Sequence, residues 1–438
     1  MLLQRKVPLF VRRGLNTTSA ILERLTKLVG SRVSVVLRDQ RAFAGAVAVV
    51  LAAKLVLAAL VPASADLGSM LLQGQSLGGP WILGIDRIVS FWESVTGLDP
   101  NSWVSSPPSF SAGMMFLGAL VRLPTLVFDI GVAGSLYFVA KQIGASTRVA
   151  RLTCLAWLLN PYATFAVEMI GTPDIAASFM TVIMALFLLR KKLVYAGLAL
   201  AVGTALKLYP ILLLPMALAY SEQSKATLRA RAFFVVASLL GLFAYFDWLF
   251  QGNPANTRLL LEYTPITQPI TNLLAVGTGV GVAVTVLPVV LVVTYYITWI
   301  LAKNRNVPIV ESILPLLLVY YAFSSLYPQY LVWALPFLTL DAVVHRRHIG
   351  LLALVLTLMF GWSFLYSGGY LNYSGYSLLF FPLQGPHLPW YSQMLSAFLA
   401  SPTMPVFIPP FLKAGLSAAT LVYALTFFRN WVKSPAPR

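Results

Sequence analysis

The chain has 438 residues, 58% hydrophobic and only 10% charged, with a mean hydropathy of +0.80. Apolar runs of helical membrane length recur along it, which excludes an ordinary soluble domain and predicts an all-α polytopic membrane protein built as one bundle. The net charge of +17 would suit nucleic acid, but Lys and Arg crowd the short loops between apolar runs, where cytoplasm and anionic headgroups account for them, so no nucleic-acid partner is expected.

Residues 1–41 form a basic segment: Arg5, Lys6, Arg12, Arg13, Arg24, Lys27, Arg32, Arg38 and Arg41 stand against Glu23 and Asp39. Leu and Val are spaced between them, so the segment reads as cytoplasmic and lying on the membrane surface. The transmembrane domain is predicted over residues 42–428. Its first span, 42–61, is followed by Ala63-Ser64-Ala65, small residues that mimic a signal-peptidase site. The long basic region ahead of it and the length of the run predict an uncleaved span instead. Lys54 lies inside that span, where snorkelling or pairing is the plain reading and a site-facing role the other.

An outer loop, 64–110, holds Asp66, Asp86, Glu93 and Asp99 against a single basic residue, Arg87. Within it Trp81, Ile85, Ile88 and Trp92 share one helical side, predicting an interfacial helix over 81–95. The run 110–140 returns inward, with a break expected near Arg122-Leu123-Pro124. Residues 153–170 go out, interrupted at Asn160-Pro161, and 174–189 come back to Arg190-Lys191-Lys192. Residues 193–220 have basic residues at both ends, so a single span would break the charge rule. Two short spans turning near Lys207–Pro210 obey it and place Lys207 toward the outer side.

Further on, 233–250 exits to an outer loop, 251–272, with Arg258 and Glu262. The runs 273–301, 308–323, 329–344 and 350–366 then alternate across the bilayer. A Gly/Pro/Tyr/Ser-rich outer loop, 368–410, contains Tyr370, and a last span, 411–428, leads to a cytoplasmic tail, 429–438. The count is about twelve spans of roughly membrane length, with both termini inside and Asp66, Arg258 and Tyr370 outside. No internal repeat of the kind found in many secondary transporters is visible.

Ionisable and polar groups inside apolar helices are functional candidates by default, because each is costly in lipid and must face protein or water. Here they are Asn160, Glu168, Asp174 and Lys207, close to helix breaks at Asn160-Pro161, Thr172-Pro173 and Tyr209-Pro210. Cys154 is the only cysteine, so an intramolecular disulfide and a cysteine metal site are excluded. His345, His348 and His387 lack ligand spacing, and His345 and His348 read as solvated charge in a basic loop. No Gly-rich phosphate loop and no Ser/His/Asp set stands out, which leaves a soluble nucleotide-sugar site without support.

The order of motifs carries a resemblance. The segments W-L-L-N-P, G-T-P-D-I-A-A-S, an apolar helix closed by R-K-K, A-L-K-L-Y-P, and Y-P-Q-Y-L-V-W-A-L-P at 327–336 resemble the catalytic subunit of glycosylphosphatidylinositol mannosyltransferase I and its prokaryotic relatives. The resemblance implies a GT-C fold glycosyltransferase that uses a polyprenyl (dolichyl) phosphate sugar and inverts in a single displacement. Its implied partners are membrane lipids, that donor, and a lipid or glycan acceptor; an accessory membrane subunit and the cofactor are left open.

The family has an acidic pair after the first span. Here Ala65-Asp66-Leu67-Gly68 keeps one acid, so Asp66 is the implied general base, no metal site is assigned, and metal use stays open. A solvated interface acid or helix cap is the other reading of Asp66. Cations that could stabilise the departing phosphate are Lys207 and Arg122, which match family positions, and Arg258, which rests on topology alone. Pairing with Asp129, Asp174 or Glu262, or snorkelling, is the alternative for all three. Asp129, Asn160, Glu168, Asp174, Tyr209, Gln329 and Tyr330 are read as substrate-binding or structural polar groups. The rival function is a transporter or flippase for a lipid-linked or polar solute.

Overall fold

A computed structural model describes residues 35–60, 94, 112–223, 227–252, 286–305, 309–323, 328–346, 348–366 and 408–433. Asp66, Asp86, Glu93, Arg258, Glu262, Tyr370 and most of the three predicted outer loops lie outside these residues. The described residues are helical, with no strand among them. Among the described residues, three helices are long and apolar enough to cross a membrane, within Gln40–Ala59, Arg122–Gln142 and Leu228–Asp247. Shorter apolar helices occupy Asp174–Leu189, Leu193–Leu206, Val290–Ile300, Ile309–Phe323, Leu335–His345 and Ile349–Met359.

The chain divides into two compact units, Met1–Leu51 and Ala52–Arg438. In the first, residues 35–51 are described: helix α1 (Gln40–Leu60) begins there, and the Asp39 carboxylate accepts from the Arg41 N–H at 2.8 Å. The second unit holds everything that follows.

Helix α2 (Ala112–Gln142) is continuous, so the expected break near Pro124 is corrected. Proline removes one N–H, so the Leu120 carbonyl loses its usual partner four residues on, and the helix continues past it. Here the Thr125 hydroxyl donates to the Arg122 carbonyl at 2.7 Å, and the Arg122 guanidinium donates to the Ala58 carbonyl at 2.9 Å. Together with Lys54 on Asp129, that contact runs the end of α1 antiparallel to α2. Helix α3 (Thr147–Leu158) is capped by Ser146 and also runs antiparallel to α2: Lys141 meets Thr147 at one end, and Trp157 meets Asp129 at the other.

Asn160 ends that helix and caps the next. Its side-chain oxygen accepts from the N–H groups of Tyr162 and Ala163, and Pro161 takes the first position of α4 (Pro161–Thr164), where the absent N–H costs nothing. A π turn, Phe165–Ile170, closes at Gly171, whose φ of 76° lies in the left-handed region that glycine enters without strain. Thr172-Pro173 then starts α5 (Asp174–Leu189).

Two helix contacts decide the next fold-back. Helix α6 (Leu193–Leu206) is antiparallel to α5, with Gly203 on Met180 and Tyr195 on Phe187. It ends where Lys207 adopts an extended backbone. A 3-10 turn, Tyr209–Leu213, and α7 (Leu214–Gln223) follow, then α8 (Leu228–Gly252). Gly197 packs on Phe234 and Ala201 on Gly241, so α8 runs parallel to α6 and the segment between them reverses direction. The limbs match: α6 rises about 21 Å, and the 3-10 turn with α7 returns about 25 Å. Lys207 therefore sits at the tip of a hairpin of two short limbs, as the charge pattern predicts. Lys141, Arg190, Lys191, Arg229 and Arg231 share the opposite end.

The rest comprises α9 (Val286–Arg305), α10 (Ile309–Phe323), a 3-10 turn at Pro328–Trp333, α11 (Leu335–Leu340), a π turn at Asp341–His345, α12 (Ile349–Tyr366) and α13 (Ile408–Lys433). The 328–345 segment folds back along α10: Tyr321 donates to the Tyr330 carbonyl, and Glu311 lies 3.5 Å from His345.

The α6–α8 crossing gives a stability test. A Cβ on Gly241 would overlap the Ala201 carbonyl, so Gly241→Ala must push α6 and α8 apart and should cost about 1–3 kcal/mol. Gly134 meets nothing within 4 Å, and Gly134→Ala should instead gain about 0.5–1 kcal/mol from helix propensity. The thermal midpoints of the two variants in detergent should move in opposite directions.

Candidate functional site

The polar groups singled out in the sequence assemble into two layers. The first is built on Lys54. Its ammonium donates to Asp129 Oδ2 at 2.8 Å and to both Glu168 oxygens at 3.1 and 3.2 Å. The indole N–H of Trp157 takes the other Asp129 oxygen at 2.8 Å. Lys54 is 3% exposed, and Asp129 and Glu168 are buried too. One ammonium thus joins α1, α2 and the π turn. Arg122, also buried, lies within electrostatic reach of Glu168. The structure therefore puts Arg122, expected at a donor phosphate, in the Lys54 layer, with its guanidinium on the Ala58 carbonyl.

The second layer is built on Asp174, the first residue of α5. Lys207 Nζ lies 3.2 Å from Asp174 Oδ1, and the Trp333 indole N–H donates to the same oxygen at 2.9 Å. The Thr172 hydroxyl donates to Oδ2 at 2.7 Å. Trp333 is sandwiched between Tyr209, at 4.1 Å between centroids and 5° between planes, and Tyr330, at 4.5 Å and 22°. Lys207 Nζ is 5.2 Å from the Tyr330 centroid, within cation–π range. The Tyr209 hydroxyl is held by Ser178 at 3.3 Å and Thr181 at 3.1 Å. In contrast to Lys54, the Lys207 side chain is 28% exposed.

Measured along α5 from Arg190, Asp174 stands about 24 Å from the basic end, and Asp129 stands about 20 Å from the end of α2. Both layers therefore sit far along the bundle from its basic end, and only six positions of chain separate Glu168 from Asp174.

Of the residues read from the sequence, Asp174, Lys207, Tyr209 and Tyr330 come together. Asp129 and Glu168 join Lys54 in the other layer, and Asn160 is a helix cap. Gln329 belongs to the 3-10 turn, and its side chain lies outside the described residues. Trp333, Thr172 and Trp157 were missed as site residues. Trp333 lies within the Tyr327–Pro336 stretch already singled out, where an indole among polar-tipped aromatics was the available signal.

The two loop histidines correct a second expectation. Arg346 and His348 adopt left-handed φ values of 53° and 55°. His348 Nδ1 then lies 3.2 Å from Asp341 Oδ2, and His345 lies 3.5 Å from both Asp341 and Glu311. Tyr423 donates to Asp341 at 2.9 Å. These histidines are half-buried partners of carboxylates rather than solvated charge. No group of three His, Cys, Asp or Glu suited to a metal ion occurs among the described residues.

Comparison of the chain with protein-family models and with curated proteins gives no match. The class is defined by the molecule itself: an all-helical protein with helices able to cross a membrane and two buried ionic layers.

The Lys54 layer predicts a large single-site effect. Removing one member of a buried ionic cluster leaves uncompensated charge and typically costs about 3–5 kcal/mol. Lys54→Met should lower the thermal midpoint in detergent accordingly, and adding Glu168→Gln to Lys54→Met should recover some of the loss. A midpoint unchanged by Lys54→Met would show that the cluster does not hold the bundle.

Proposed function

We propose that the chain is an integral-membrane glycosyltransferase of the GT-C kind, with about twelve spans, that moves a sugar from a polyprenyl phosphate to a lipid or glycan acceptor at the outer or lumenal face. Mannose is the sugar the motif order favours. The observation that carries the reading is Lys207: a part-exposed ammonium at the tip of a broken hairpin, in an apolar stretch, beside a three-ring aromatic stack. Asp174 at 3.2 Å is its partner within the chain, but the ammonium stays part-exposed, and a lipid-linked phosphate is an anion that its own apolar tail would deliver to such a cation.

In the transfer, the acceptor hydroxyl oxygen attacks the anomeric carbon from the face opposite the phosphate. The hydroxyl proton passes to Asp66. The anomeric carbon–oxygen bond breaks with its electron pair going to the phosphate, and Lys207 stabilises the charge that develops there. One displacement inverts the centre. A carrier for a lipid-linked solute is the second reading, favoured by the carboxylates of the Lys54 layer, since intramembrane acids and broken helices also mark transport paths.

Incubation of the purified protein with radiolabelled polyprenyl-phosphate mannose and a membrane lipid extract separates the two. Label in a new product supports the transferase, whereas bound label without product favours the carrier. Asp66→Asn should lower turnover by about 10²–10⁴-fold, the usual contribution of a general base, with donor binding little changed. Asp86→Asn and Glu93→Gln should be much milder, and near-normal turnover in Asp66→Asn would move the base elsewhere.

A further inference from the structure

The two ionic layers differ in a way that bears on ligand binding. Lys54 projects from a helix interior, is 3% exposed and is clamped by two carboxylates. Lys207 stands at a helix break with an extended backbone, is 28% exposed and shares one carboxylate oxygen. Asp174 does not depend on Lys207 for its hydrogen bonds: Trp333 holds Oδ1 and Thr172 holds Oδ2. It is also the first residue of a 16-residue helix, where the aligned peptide dipoles favour negative charge. The carboxylate keeps both of these donors if the ammonium leaves, which makes the ammonium the exchangeable member.

We propose that Asp174 is a resident counter-ion which an incoming lipid phosphate displaces from Lys207, so that Asp174 sets the affinity for that headgroup by competing with it. This rests on the reading of Lys207 as the phosphate-binding cation. It has a direct consequence: neutralising Asp174 strengthens binding, whereas an ordinary structural ion pair would lose function when either partner is removed. Thr172 modulates the competition. Without its hydroxyl the carboxylate has one donor fewer and grips Lys207 harder. Thr172 and Asp174 thereby act as positioning residues, through Lys207, with no contact to the ligand required.

The test is calorimetric titration of the purified full chain in detergent with citronellyl phosphate, a short isoprenyl phosphate, alongside inorganic phosphate. Wild type should bind citronellyl phosphate and Lys207→Met should not. Asp174→Asn keeps the shape and removes the charge, and should bind about tenfold tighter or better, the scale of one charge-assisted hydrogen bond that no longer has to be broken. Thr172→Val should bind several-fold weaker, and this variant decides the matter if Asp174→Asn does not fold. Equal or weaker binding by a folded Asp174→Asn, with Lys207→Met still defective, overturns the counter-ion role and leaves the phosphate site intact. Absence of citronellyl phosphate binding by wild type overturns both. Inorganic phosphate bound as tightly as citronellyl phosphate overturns the assignment to a lipid headgroup.

Discussion

The arrangement depends first on one ammonium. Lys54 reaches carboxylates 75 and 114 positions away in sequence and so joins α1, α2 and the π turn through charge. Buried as Asp129 and Glu168 are, two carboxylates left together without a cation would be untenable. The 52–60 end of the first helix is therefore held in one register against the second, and the π turn is held against both. Van der Waals packing of apolar helices in lipid is comparatively permissive about register, since lipid tails are as apolar as the side chains they replace. The ionic layer supplies the selectivity that apolar packing lacks.

Close helix contact supplies the rest. Gly197 and Ala201 on α6 meet Phe234 and Gly241 on α8, and Gly131 on α2 receives the Phe179 ring of α5. Small residues at crossings let backbones approach, which is the usual route to affinity between helices that share an apolar solvent. The parallel course of α6 and α8 then forces the intervening chain to turn back at Lys207. The hairpin is thus a consequence of the crossing, and the ammonium at its tip is carried to its depth by the length of α6.

Lipid makes polar residues conspicuous, which is why much of this was legible in the sequence. The helix break at Lys207, the interruptions at Asn160 and Thr172, and the identity of the polar groups all follow from what an apolar run cannot tolerate. What was not legible depends on proximity across the chain or on backbone choices that residue type does not dictate. Which acid meets which base is one case: Lys207 was open to Asp129, Asp174 and Glu262, and only packing selects Asp174. The continuity of α2 through Pro124 is another, since a proline in a helical pattern reads equally as a break or as a tolerated interior residue. The π turn that carries Glu168 leaves no local signature, and neither do the left-handed Arg346 and His348, which turn two apparently solvated histidines onto Asp341.

The proximity of the two layers along the chain explains how one can be exchangeable without cost to the other. Glu168 belongs to the locked layer and Asp174 to the open one, with Gly171, Thr172 and Pro173 in the turn between them. The glycine ends the π turn, its N–H and that of Thr172 both returning to the Ala166 carbonyl. The Thr172 hydroxyl is already committed to Asp174, and proline fixes the backbone that starts α5. With Glu168 anchored by Lys54, this short connection has little freedom, and Asp174 is set in place from behind. A carboxylate so held needs no ammonium to define its position. Lys207, attached where α6 gives way to an extended backbone, has the Tyr330 ring beside it as a further contact, so its partner can exchange while Asp174 stays in place.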